Sequence, residues 1–310
     1  MDGVNSFLQL ARSCRGLSRF AAFALLFMVL VVLEGAVVRA TGSGAGCGKH
    51  WPLCNGQIIP HHPRIATIIE FAHRSLTGIC STLVVILIAW IFIAKSRGAR
   101  VRKAAVTSGV LLLTEALLGA VLVLGGYVEH NASNARVLVQ CVHFTNTMLL
   151  LAALAITWWW SRERAAVIVL KPARSQAWVA VVATIVVGAT GSVAALADTL
   201  FPSTNFLVGL RQDFAATAPL LVRMRWMHPA ATLLEIVFVV WLCARVQGAL
   251  ARWVVGLLAA QVVFGIVDVL LLAPISMQVV HLAGADAFWI ALVLCAAGIL
   301  TVADKVQTQA

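Results

Sequence analysis

The sequence predicts an all-α integral membrane protein with eight transmembrane helices, and three observations carry that reading. Of 310 residues, 61% are hydrophobic and only 11% are charged, too little polar surface for a soluble domain of this length. The apolar residues gather into eight runs, each near the roughly 20 residues that a hydrocarbon core of about 30 Å requires. The basic residues between runs alternate in density from loop to loop, as they do on alternate sides of a membrane.

The runs cover 20–38, 66–94, 104–125, 137–160, 175–197, 220–244, 250–273 and 275–302. The first is long, and Arg39-Ala-Thr-Gly-Ser after it offers no A-x-A cleavage pattern, so a retained helix is expected rather than a signal peptide. Gly125-Gly126 ends the third run and is no phosphate loop, because no Lys-Ser/Thr follows. Trp158, Trp159 and Trp160 close the fourth run just before Arg162, as an aromatic belt would. Only a short turn near Pro274 separates the last two runs. The longest polar stretches are loops at about 39–65 and 198–219, so no soluble domain is expected.

The net charge of +11 raises the question of nucleic acid. Its distribution argues for topology instead. Fifteen of the 23 basic residues fall in alternate segments: Arg12, Arg15, Arg19, Lys95, Arg97, Arg100, Arg102, Lys103, Arg162, Arg164, Lys171, Arg174, Arg245, Arg252 and Lys305. The opposite loops hold Arg39, Lys49, Arg64, Arg136, Arg211, Arg223 and Arg225. The positive-inside rule then places both termini in the cytoplasm.

The chain also repeats itself weakly. Ala40-Thr-Gly-Ser43 matches Ala189-Thr-Gly-Ser192, Glu70-x-x-His73 aligns with Arg225-x-x-His228, and Gln140-x-x-His143 aligns with Gln278-x-x-His281. Together these predict two four-helix bundles, residues 1–165 and 166–310. Four helices per half leave the halves in the same orientation, as parallel repeats.

Four histidines, His73, His143, His228 and His281, sit about six to eight residues inside the outer starts of four runs. At 1.5 Å per residue they share a depth of roughly 9–12 Å. Ionisable groups inside spans are rare and usually functional, and facing helices of a bundle commonly hold cofactors. Two pairs of axial ligands for two haems, His73 with His143 and His228 with His281, fit the one-per-helix pattern. Copper or zinc also takes imidazole, but structural zinc favours Cys or closely spaced ligands. His50, His61, His62 and His130 fall in loops and are expected in water.

Glu70 lies three residues before His73, on the same helix face. The corresponding residue of the second half is Arg225, which cannot act as a base but can hold a haem propionate. The first half is therefore the expected reaction site and the second a retained haem. The competing reading is a structural ion pair between Glu70 and Arg74. Cys47 and Cys54, with six residues between them in the first outer loop, are well placed for a disulfide on the oxidising side, structural or redox-active. The other cysteines, Cys14, Cys80, Cys141, Cys243 and Cys295, read as small apolar fillers. Glu34, Glu115, Glu235, Asp268 and Asp286 also fall in or near runs, and the sequence does not rank them.

These residues resemble the haem A synthase family. The matching motifs are Val38-Arg39-Ala-Thr-Gly-Ser-Gly with Cys47, Trp51-Pro-Leu-Cys54-Asn-Gly, Glu70-x-x-His73-Arg74 and Gln140-x-x-His143. In the second half they are Ala197-Asp198-Thr-Leu-Phe-Pro202, Gln212-Asp213-Phe, Arg223-x-Arg225-x-x-His228-Pro229 and Gln278-x-x-His281. The resemblance spans about residues 20–300. It implies oxidation of a ring methyl of haem O to a formyl group, giving haem A for haem-copper oxidases. It further implies haem O as substrate on His73 and His143, haem b as cofactor on His228 and His281, Glu70 as the essential acid, and a Cys47–Cys54 disulfide. The implied partners are haem O synthase, a reductase or ferredoxin-type electron donor, the haem-copper oxidase under assembly and the lipid bilayer. The implied location is the cell membrane, with the haem sites toward its extracytoplasmic side. Two other classes compete: a dihaem b-type electron-transfer cytochrome, which wants haems near both faces, and a haem transporter or chaperone, which needs no acid beside one pair.

Overall fold

The structure is a computed structural model that describes residues 14–162, 168–169 and 173–307. Arg12, Arg164, Lys171 and the expected junction at 165/166 lie outside the described residues. The helices are α1 (Cys14–Ala40), α2 (Ile65–Ala94), α3 (Arg100–Leu124), α4 (Asn134–Ser161), α5 (Arg174–Leu200), α6 (Phe206–Phe214), α7 (Leu220–Arg223), α8 (Met227–Cys243), α9 (Ala249–Leu270) and α10 (Ile275–Gln307). Eight segments are long and apolar enough to cross a membrane: α1, α2, α3, α4, α5, α7 with α8, α9 and α10. Helices are what an apolar sequence must form there, because lipid offers no partner for a free backbone N–H or C=O. Leu26, Leu113, Leu233 and Trp253 each turn more than half of their surface outward, which suits lipid and not water.

Each helix packs chiefly on its neighbour in sequence: α1 on α2, α3 on α4, α5 on α8 and α9 on α10. In the centre, α1, α4, α5 and α10 touch one another, and α10 is the most buried of the eight spans. Trp289 of α10 donates its indole N–H to the Met148 carbonyl of α4 at 2.7 Å, a buried polar link across this centre. Leu150, Leu151 and Leu154 of α4, with Leu292 and Ile299 of α10, fill the core around it.

Helix ends follow from the local sequence. The Ser133 and Asn205 side chains accept backbone N–H bonds from Arg136 and Val208 and so start α4 and α6. Gly126, at φ 65°, ends α3: its N–H bonds to Val123 and that of Tyr127 to Leu122, the paired closing bonds of a Schellman motif. The end of α9 is built the same way, Leu272 to Val269 and Ala273 to Asp268, but with Leu272 in the left-handed region at φ 64°.

Three features depart from the sequence reading. The run 220–244 is interrupted by a turn at 224–226. Pro229 has no N–H for the Arg225 carbonyl and would clash with it, so α8 restarts at Met227 and keeps Pro229 in its first turn. The loop at 198–219 contains α6, and Ile168–Val169 forms a two-residue antiparallel ladder with Val246–Gln247. Thirdly, Ala40-Thr-Gly-Ser43 and Ala189-Thr-Gly-Ser192 are not equivalent. The first lies at and beyond the end of α1, while the second is inside α5, where Gly191 takes the place that Gly35 has in α1.

Arg39, at the end of α1, reaches the Ala195 carbonyl at 2.7 Å and the Thr199 hydroxyl at 2.6 Å on α5, and the Gln278 amide oxygen at 2.7 Å on α10. One guanidinium thus ties three helices of the central group. Removing it strands buried acceptors, so Arg39→Ala should lose about 3 kcal/mol. Arg39→Lys should recover little, since an ammonium lacks the planar fork. Thermal unfolding of the detergent-solubilised protein reads both.

Candidate functional site: four imidazoles against glycines

His73, His143, His228 and His281 begin six to nine residues inside α2, α4, α7–α8 and α10. Each packs against a glycine of the preceding spanning segment. A methyl group added at Gly35 of α1 would lie 3.0 Å from Cε1 of His73, and one at Gly191 of α5 would lie 3.0 Å from Cε1 of His228. At Gly265 of α9 it would lie 3.3 Å from Cε1 of His281, and at Gly119 of α3, 4.0 Å from Cε1 of His143. At Gly35, Gly191 and Gly265 the imidazoles therefore occupy space that a larger residue would take, while at Gly119 a methyl would meet only ordinary contact. The sequence reading missed these glycines; their signal is that Gly119 and Gly265 each follow a polar residue by four positions, Glu115 and Gln261.

His228 and His281 face each other with ring centroids 6.3 Å apart and planes at 77°. Two metal–imidazole bonds of about 2.0 Å on opposite sides of one ion set ring centroids about 6 Å apart. The second pair therefore fits a bis-imidazole centre. Among the described residues, no three or more His, Cys, Asp or Glu gather into a metal-holding cluster. A four-histidine copper or zinc site is thus not formed.

The Nδ1 partners differ between the halves. His73 Nδ1 lies 2.8 Å from Glu34 Oε2, and His143 Nδ1 lies 3.4 Å from Glu115 Oε1. Both are ion-pair distances without the alignment of a ring hydrogen bond. Glu115 also accepts from Asn146 Nδ2 at 2.6 Å and from the Thr147 hydroxyl, and Asn146 is itself held by Thr114 and the Leu111 carbonyl. In the second half, His228 Nδ1 is 3.1 Å from the Val187 carbonyl. The Gln261 side-chain amide lies 3.1 Å from His281 Nδ1.

Glu70 is 3% exposed, and its carboxylate turns toward the first loop. It accepts the Cys47 backbone N–H at 2.6 Å and the Arg74 guanidinium through Nε and Nη2. Arg74 in turn donates to the His50 and Leu53 carbonyls. Cys47 and Cys54 form a disulfide with Cα atoms 4.4 Å apart. The Thr67 hydroxyl donates to the Gly46 carbonyl at 2.8 Å, and Gly46 sits directly on the Ala66–Thr67 backbone. The ion pair with Arg74 that the sequence left open is therefore formed, and Glu70 is the anchor of the disulfide loop.

Arg225 plays the corresponding part in the second half. It bonds Asp213 at 2.7 Å, Asp198 at 3.0 Å, and the Ser203 hydroxyl and Gly209 carbonyl at 3.3 Å. Its N–H donors meet Asp198 at the end of α5 and Ser203, Gly209 and Asp213 of the segment between α5 and α7. Loop histidines His50, His61, His62 and His130 are exposed as expected. Glu235 and Asp286 are buried, each with one oxygen lacking a hydrogen-bond partner. Cys80 and Cys295 are buried and unpaired, as fillers are.

Overpacking against a fixed ring costs about 1–3 kcal/mol. Gly191→Ala should therefore weaken haemin uptake by the purified protein at least about fivefold. Gly119→Ala, whose added methyl meets only ordinary contact, should bind as the parent does. An absorption titration with haemin separates the two.

The cytochrome oxidase assembly protein family (COX15-CtaA) matches residues 18–293. A Thermus thermophilus protein named protoheme IX farnesyltransferase is 39% identical over 302 residues, covering 91% of this chain and 49% of the relative. The heme A synthase of Exiguobacterium sibiricum is 35% identical over 150 residues, 48% of each chain. That of Geobacillus kaustophilus is 42% identical over 112 residues, 36% of this chain and 35% of its own. The chain thus spans about half the length of the curated relatives it matches first. With the family pattern running through nearly all of its eight spans, the chain belongs to the cytochrome oxidase assembly protein family.

Proposed function

We propose that this protein is a haem A synthase, an oxidoreductase that converts a ring methyl of haem O to the formyl group of haem A for haem-copper oxidases. The observation that carries the reading is the set of four imidazoles, each housed by a glycine, divided into two pairs with different partners. Haem O as substrate is assigned to His73 and His143 in the half formed by residues 1–165. Haem b is assigned to His228 and His281 in the half formed by residues 166–310. The 6.3 Å gap supports the second assignment. A haem there would supply one-electron transfer to the first site. The recurring glycine-on-imidazole contacts support a parallel repeat of two four-helix bundles. The loop charges support cytoplasmic termini and haem sites toward the extracytoplasmic side of the cell membrane.

Glu70 is assigned as the catalytic acid of the first half. Its oxygens accept N–H bonds from Cys47 and Arg74 and donate none. A carboxylate so held acts as a fixed anion, able to stabilise positive charge that develops at a nearby ring carbon. Proton relay would require it to leave both partners. Arg225 is assigned to the haem b site as the group that would hold a propionate, and its bonds to Asp198 and Asp213 support it by fixing the guanidinium beside that site. The relatives named heme A synthase support the reaction. The Thermus protein, named for farnesylating protohaem and about twice the matched length, supports haem O synthase as a partner beside this chain. The methyl-to-formyl conversion removes four electrons and adds one oxygen atom, so it needs an external oxidant such as dioxygen, which electrons from a reductase or ferredoxin-type donor would help to reduce.

Mass analysis of the haems extracted from purified protein, made with and without a haem O-forming enzyme, tests the reading. Haem O and haem A together, with a hydroxylated intermediate, are expected in the first case, and haem b alone in the second. Protohaem alone in both cases would favour the electron-transfer reading. Glu70→Gln should keep both haems and lose most haem A. A variant that makes haem A at the parental rate would remove Glu70 from the chemistry and leave it an anchor of the loop.

A further inference from the structure

We infer that Glu34 and Glu115 are positioning residues that make the first histidine pair a stronger electron-donating ligand set than the second. The inference rests on the proposed haem sites and goes beyond them.

The geometry is paired. Glu34 precedes Gly35, the glycine against the His73 ring, and Glu115 lies one turn before Gly119, the glycine against the His143 ring. The helix that makes room for each imidazole therefore also brings a carboxylate to its Nδ1, at 2.8 Å for His73 and 3.4 Å for His143. Both oxygen–nitrogen approaches lie inside the protein with no other partner for Nδ1. Thr147 donates to the same Glu115 oxygen that approaches the ring and Asn146 to the other, and Thr147 also bonds back to the His143 carbonyl. The second half has the same scaffold without the acids. Thr190 precedes Gly191, and its hydroxyl turns back to Val186 and Val187. Gln261 stands one turn before Gly265, in the place that Glu115 has before Gly119. The partners of His228 and His281 are thus a carbonyl and an amide.

Neither approach is aligned as a hydrogen bond; a small ring rotation that brings Nδ1–H onto the carboxylate would fix the tautomer that leaves Nε2 free for iron and raise the basicity of the ring. Two such ligands push electron density onto the metal and favour its oxidised state. That is the direction required at a site where the bound ring itself loses electrons. The Val187 carbonyl gives His228 a weaker push, and the Gln261 amide, whose N–H donates to His281 Nδ1, gives none, which suits a haem that only passes electrons.

The test uses the full chain, purified and loaded at both sites with haemin, so that the porphyrin is the same and only the protein differs. Two one-electron midpoints are expected, the lower at the His73/His143 site. Glu34→Gln and Glu115→Gln should each shift that lower midpoint upward by about 59 mV, a tenfold change in the ferric-to-ferrous preference. The other midpoint should stay in place. Gln261→Glu should do the reverse, lowering the His228/His281 midpoint alone. The low-spin ferric EPR signal of the altered haem should move with its potential, which a loss of packing would not produce. Unchanged midpoints in Glu115→Gln and Gln261→Glu, with both haems retained, would overturn the inference and leave the two-haem reading standing. Haemin at one site only in the parent protein would overturn both.

Discussion

Everything in the site depends on an imidazole being admitted to a helix interface where no side chain faces it. A glycine inside a helix costs about 0.5–1 kcal/mol relative to alanine, and four such positions are used against four rings. Lipid provides no hydrophobic drive between helices, so close approach at small residues is a main source of attraction. The glycines serve both ends at once. They let α1, α3, α5 and α9 close on their partners, and they leave the Cε1 edge of each ring as the surface against which those helices pack. Depth follows from the same contact, because a ring must sit where its glycine is.

Above the rings, a second constraint governs the loops. A buried charge needs its partners close by, and in each half the residue one turn before the histidine finds them both on a helix and in the outer connection. Glu70 draws in Cys47 and Arg74; Arg225 draws in Asp198 and Asp213. The charge is reversed but the arrangement is kept: a buried ion at the mouth of each bundle pins the segment that covers it. The disulfide between Cys47 and Cys54 closes the first of these loops on itself, while α6 gives the second loop its own backbone bonds.

The spans, the four histidines and the disulfide pair were legible because each leaves a local trace: an apolar run, an imidazole within it, two cysteines in one polar loop. The break before α8 was legible in principle, since Pro229 stands in the run. What the sequence hid depends on contact across helices. Glu115 and Gln261 carry only the faint mark of a glycine four positions on, and nothing local shows that they or Glu34 meet a ring where Glu235 and Asp286 do not. Only the packing of α1 on α2 and of α3 on α4 shows which carboxylates meet a ring. The apparent match of Ala40-Thr-Gly-Ser43 to Ala189-Thr-Gly-Ser192 misled for the converse reason. Four small residues recur easily in apolar sequence, and α5 continues nine residues past Gly191 whereas α1 ends five past Gly35.

The two halves therefore share a frame and differ in charge. Were the frame alone decisive, both histidine pairs would hold the same centre in the same electronic state. Were charge alone decisive, the glycines would not recur at all four rings. With the proposed haems in place, the combination would separate two tasks: backbone packing would fix where a planar ligand lies, and the residue beside Nδ1 would fix how strongly its iron is held in the oxidised state. Such a division lets one half change its chemistry by substituting Glu for Gln one turn from a glycine, with no change in the helices that carry it.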